Sequence, residues 1–110
     1  MKKPKFIYEA TWRHNFYFCI GWSEKDFANY ALKTFNYESD WSNGDGCCLL
    51  CANEGTEISV VWTRNKKIDV IAHECLHAVF NLMEAKKIKL SNETDEVFCY
   101  LLQRLIKEVL

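Results

Sequence analysis

A chain of 110 residues, 49% hydrophobic and 15% aromatic with only 4 Gly and 1 Pro, holds enough apolar surface for one small core, which excludes a disordered or low-complexity chain. The formal net charge is −1, and the 14 basic residues are spread along the chain, so nothing marks a nucleic-acid binder. Apolar runs are too short to span a membrane, and Phe6-Ile7-Tyr8 is broken at once by Glu9, too soon for a signal peptide. A single domain over 1–110, cytoplasmic, is the expectation.

Residues 5–12 and 16–22 are rich in aromatic and β-branched side chains, with Arg13-His14-Asn15 as the polar break, and predict two antiparallel strands. Ser23 followed by Glu24 and Asp26 predicts a helix start, and Phe27, Tyr30, Ala31 and Phe35 carry an amphipathic helix to about Asn36. Asn43-Gly44-Asp45-Gly46 predicts a turn. Two strands follow, 47–52 and 56–63, joined by Asn53-Glu54-Gly55. In the second, Ile58, Val60 and Trp62 alternate with Glu57, Ser59 and Thr63, which predicts one buried and one more polar face.

A second helix is expected over 68–87, with Asp69 at the positive end of its dipole. A third, over 91–110, opens at Ser91 and carries Val97, Phe98, Leu101, Leu102, Leu105, Ile106 and Val109 at core spacing. The fold class is therefore α+β: about four strands in a mostly antiparallel sheet, plus three helices.

The six cysteines lack the oxidising context that a disulfide framework needs, and read as free thiols packed as small hydrophobes. Cys48 and Cys51 have a metal or redox spacing, but a zinc knuckle wants a second such pair and there is none. They sit within Cys47-Cys48-Leu49-Leu50-Cys51, a strand whose successive side chains point to opposite faces. A thiol-rich module using Cys47, Cys48 and Cys51 is the weaker alternative. Cys75 and Cys99 are expected to face the core.

The chemistry concentrates in His73-Glu74-Cys75-Leu76-His77, which holds two of the chain's 3 histidines. On a helix, positions i and i+4 lie only ~40° apart, one turn above the other. Two imidazoles so placed reach one Zn²⁺ at ~2.0–2.1 Å. Glu74, offset from that pair, reaches a water at the metal and takes its proton. The apolar flanks Val70-Ile71-Ala72 and Ala78-Val79-Phe80 predict a helix buried nearly all round, where polar side chains need partners. The competing packing reading makes both histidines core residues and puts Glu74 at the solvent edge. A third ligand is sought on the following helix, which offers Glu93, Asp95 and Glu96.

With eighteen residues between His77 and Glu96, the chain resembles the gluzincin metallopeptidases, whose pattern is H-E-x-x-H-(x18)-E. It is similar also to the minigluzincins and to small zincin-like proteins of phages and prophages. The resemblance implies a zincin-like domain with Zn²⁺ held by His73, His77 and Glu96, an open fourth position, and Glu74 as general base. It implies a peptide or protein substrate lying along an edge strand, a part that Thr56–Thr63 suits. It also implies a residue that polarises the scissile carbonyl, for which Tyr100 is the first candidate and His14 the second. Asp95 is the candidate for supporting a ligand histidine. The larger gluzincins carry a further domain that closes a cleft, and none is visible in these residues. The alternative function is a zincin-fold binding protein, a phage or prophage factor acting on a host protein in the host cytoplasm, with structural zinc. A protein partner or homo-oligomer belongs to either reading.

Overall fold

The computed structural model describes residues 2–41, 44–53 and 56–110. Parts of two expected turns, Asn43 in the first and Glu54-Gly55 in the second, lie outside the described residues. Strands β1 (Lys5–Glu9) and β2 (His14–Ile20) form an antiparallel pair, with Lys5 opposite Phe18 and Glu9 opposite His14. The break between them falls at residues 10–13 rather than 13–15. Glu9 turns the chain by accepting the Thr11 amide at 3.0 Å, and Arg13 takes a left-handed φ of 52°. His14 is consequently the first residue of β2 and is fully buried, not a turn residue.

Helix α1 (Glu24–Phe35) begins and ends as its sequence predicts. Ser23 Oγ accepts the Asp26 amide at 3.1 Å, and Asn36 closes the helix in the left-handed region at φ 54°. Both are residue types whose short polar side chains favour those positions. Strands β3 (Gly46–Asn53) and β4 (Thr56–Thr63) form a second antiparallel pair, with Gly46 opposite Thr63.

The sheet is mixed, not simply antiparallel. β4 lies parallel to β2, pairing His14 with Glu57 and Ile20 with Thr63, and the strand order is β1-β2-β4-β3. β4 is therefore a central strand, and the expectation that Thr56–Thr63 forms an edge is overturned. Its side chains from Ile58 to Thr63 are all buried, on both faces, because helices cover the sheet on each side. On one side α1 places Phe27 and Ala31 against Val60 and Trp62, with the Phe27 and Trp62 rings stacked at 5.1 Å. On the other, α2 (Ile68–Ala85) and α3 (Asp95–Val109) pack Cys75, Val79, Leu82, Phe98 and Leu105 against Phe16, Phe18 and Val61.

Helix α3 starts four residues later than Ser91. The Thr94 hydroxyl donates to the Lys89 carbonyl at 2.6 Å and accepts the Ser91 amide at 2.9 Å, so residues 91–94 form a turn of their own. Arg104 pairs with the buried carboxylate of Glu9, and Lys5 donates to the Glu108 carbonyl, which ties α3 to β1. No helix among the described residues is long and apolar enough to cross a membrane.

The cysteines are all free. Cys48 packs on the α2/α3 face while Cys47 and Cys51 pack on the α1 face, so the sheet itself separates the two thiols of the C-x-x-C pair. An odd spacing along a strand dictates that split, and it removes the thiol-module reading. Burial pushes the Cys19, Cys47 and Cys75 thiols up to about 12, as befits packing groups rather than nucleophiles. Cys99 departs from expectation, being exposed on α3.

Candidate metal centre

The chain enters α2 through a tightly held connection. Thr63 Oγ1 donates to the Asn65 carbonyl at 2.7 Å, and Asn65 Oδ1 accepts the Lys67 amide at 3.0 Å, at the position preceding the helix. Arg64 braces the start of β3: its Nη2 donates to the carbonyls of Trp41 and Gly44 at 3.0 and 2.8 Å, and its guanidinium covers the Trp62 ring at 5.2 Å. Removing that brace by Arg64→Ala is expected to lower stability by about 1–3 kcal/mol, the usual range for losing charge-assisted hydrogen bonds, measured as a shift in the urea midpoint at unchanged slope.

Within α2 the residues Ile71, Cys75, Ala78, Val79 and Leu82 face the sheet. His73 and His77 lie on the far side of the helix and are exposed, together with Leu76 and Phe80. The helix is thus not buried all round. The polar exposures are also the reverse of the packing reading, with the histidines at the surface and Glu74 only 7% exposed. Ligand atoms of His73, Glu74 and His77 all fall within 4.8 Å of one another, and the two imidazole rings sit edge to face at 4.9 Å. Two imidazoles and a carboxylate form a donor set suited to zinc, and exposed rings on one helix face have the freedom to converge on an ion.

Glu74 owes its burial to Gly46. A Cβ at Gly46 would lie 2.7 Å from the Trp62 carbonyl, 3.0 Å from Glu74 Cγ and 3.1 Å from Glu74 Oε2. Only a glycine lets the first residue of β3 come this close to the carboxylate. Removal from water raises the Glu74 carboxyl above the ordinary glutamate range, while the neighbouring His73 and His77 oppose that rise. Among the described residues, Glu74 makes no side-chain hydrogen bond or ion pair. Gly46→Ala is expected to cost about 1–3 kcal/mol through overpacking and to displace the Glu74 side chain, which would appear in a denaturation midpoint and in a crystal structure of the variant.

The remaining candidates lie elsewhere. Glu96 is exposed on the first turn of α3 and is not one of the residues in the His73–Glu74–His77 group. Tyr100 is 66% exposed and lines a groove with Glu9, Trp12, Val97, Leu101 and Arg104, whereas His73 and Glu74 line another with Asp45, Gly46, Asp69 and Val70. Asp95 is exposed beside Glu96. His14 is buried with Nε2 2.7 Å from Ser59 Oγ and Nδ1 3.8 Å from the Glu57 carboxylate, inside the sheet–helix interface and away from solvent.

Three contributors to the groove carry no such signal in the sequence: Asp45, Gly46 and Asp69. Asp45 and Gly46 read there as part of a turn, and Asp69 as a dipole partner; the approach of the start of β3 to α2 brings the first two beside Glu74, about one turn and a half along the helix from Asp69. Comparison of the chain with families of known proteins, with curated proteins and with solved structures gave no match.

Proposed function

We propose that this chain is a zinc-dependent metallopeptidase of minimal gluzincin type, with His73 and His77 as metal ligands and Glu74 as general base. One observation carries the reading: a buried, unpartnered carboxylate held beside two solvent-facing imidazoles one helical turn apart. When bound, zinc supplies Lewis acidity, lowering the pKa of water to about 7 and polarising a carbonyl oxygen. Glu74 takes the proton from the attacking water as the new C–O bond forms, and returns it to the leaving nitrogen as the C–N bond breaks.

The edge strand beside the site is β3, whose outer side pairs with no strand among the described residues. An extended peptide adds to that edge by main-chain hydrogen bonds, which brings its scissile bond toward Glu74 at Gly46. The third ligand is assigned to Glu96 by its spacing from His77 alone, and Glu96→Ala tests that assignment through zinc affinity. Free thiols throughout support a reducing, cytoplasmic setting.

Purified protein is expected to contain about one zinc per chain, lost in His73→Ala and His77→Ala. Metal analysis that finds none at neutral pH without chelator overturns the reading. The exposed position of Glu96, outside the histidine group, favours a second reading: a zincin-fold binding protein of phage or prophage origin with structural zinc, acting on a host protein. Zinc without cleavage of a mixed peptide library selects that one.

A further inference from the structure

The groove that holds Glu74 has a charge character of its own. Its volume is about 300 Å³, room for one side chain, and it is lined by Asp45, Gly46, Asp69, Val70, His73 and Glu74. Asp45 immediately precedes β3, and Asp69 lies in the first turn of α2. Both are exposed, and neither side chain has an ion-pair or hydrogen-bond partner among the described residues. Of the basic residues nearby in sequence, Arg64 is held by Trp41, Gly44 and Glu24. Lys67 and the Lys66 ammonium are left without an ion-pair or hydrogen-bond partner among the described residues. Glu74, a residue only 7% exposed whose carboxylate has no hydrogen-bond or ion-pair partner among the described residues, lines the same groove.

Three carboxylates lining one groove raise two possibilities, a second metal ion or a basic organic group. Geometry separates them. A bare ion needs its ligand atoms clustered, and neither Asp45 nor Asp69 joins the only group of residues that meets that condition among those described. Carboxylates spread along a groove suit instead a long side chain with several donors at its tip, which is the form of lysine and arginine. The position is also apt, because the groove begins where β3, the open edge, passes Glu74.

Resting on the metallopeptidase reading for its location but not for its chemistry, we infer that Asp45 and Asp69 select a lysine or arginine side chain of the bound peptide. The substrate class is a basic peptide segment, its cationic residue seated next to His73 and Glu74.

The test uses the zinc-loaded Glu74→Gln protein, which binds without turning over, and fluorescent decapeptides identical but for arginine, glutamine or glutamate at one position scanned along the chain. At one register the arginine peptide should bind about five- to ten-fold more tightly than its glutamine counterpart, the sum of two partly exposed ion pairs. That preference should shrink in high salt and vanish in the Asp45→Asn, Asp69→Asn double variant, as charge screening requires. In the Asp45→Lys, Asp69→Lys protein the glutamate peptide should bind best. Equal binding of all three peptides at every register overturns the inference, as does a preference unmoved by the aspartate substitutions. Calorimetry showing a second divalent ion lost with Asp45 and Asp69 overturns it in favour of a metal. Because the readout is binding, a protein that cleaves nothing defeats the peptidase reading while leaving this one to be judged on its own result.

Discussion

On the proposed metallopeptidase reading, Glu74→Gln is expected to retain bound zinc and lower peptide hydrolysis by about 10²- to 10⁴-fold, the share a positioned general base supplies. The exchange is nearly isosteric, so the amide fills the same space beside Gly46, which has no Cβ to obstruct it. What it cannot do is accept a proton. Initial rates on a peptide mixture, paired with metal analysis of both proteins, read the two effects separately. Equal rates in the two proteins would remove Glu74 from the chemistry, and loss of zinc would make it a ligand instead. The pH profile carries a second expectation. The base works only when ionised, so activity falls as pH drops through the Glu74 pKa.

Acidification is expected to destabilise the fold through His14. Burial lowers its pKa from 6.5 to about 4; Glu57 opposes the change and Lys86 adds to it. Above pH about 6.5 the imidazole is neutral in both folded and unfolded chains, and stability does not depend on it. Between pH about 6.5 and about 4 the unfolded chain binds the proton and the folded chain does not, so stability rises with pH across that window. The full effect is of order 3 kcal/mol, from 1.36 kcal/mol per pKa unit. Urea midpoints measured from pH 7 to 4 check it, with His14→Gln as the control: glutamine retains a partner for Ser59 but does not titrate. Parallel loss of stability in the two proteins over that window would assign the acid sensitivity to other groups.

Local signals in this sequence translated well into structure, and non-local ones did not. Ser23 and Asn36 bound α1 because a cap depends on residues within one turn of it. Helix α3 starts at Asp95 rather than Ser91 because Thr94 Oγ1 accepts the Ser91 amide and donates to the Lys89 carbonyl while Ser91 Oγ accepts the Glu93 amide, which closes residues 91–94 into a turn of their own. The parallel pairing of β2 with β4 joins residues 14–20 to 57–63, and no periodicity within either segment announces its partner. That one pairing moved the open edge from β4 to β3. It also explains why Ser59 and Thr63 are buried despite a polar reading of their face.

The site was legible as residue types and less so as an arrangement. His73 and His77 share a face because any helix with that spacing puts them there. Their exposure was hidden by the apolar neighbours Leu76 and Phe80, which prove exposed as well. The burial of Glu74 depends on Gly46, 28 positions earlier, and on a close approach that becomes visible only when β3 is in register.

The crossover between β2 and β4 governs when the site comes into being. Residues 14–20 pair with residues 57–63 across the whole of α1 and β3, and closing so long a loop is entropically unfavourable until the pairing is complete. Helix α2 can form its first turns by itself, but the contact that shields Glu74 requires β3 already laid against β4. Folding should therefore be slow for a chain of this length. The imidazole pair needs only a helical turn, whereas the shielded carboxylate needs β3 in register, so a chain with α2 alone formed would hold the histidines without the shielding of Glu74.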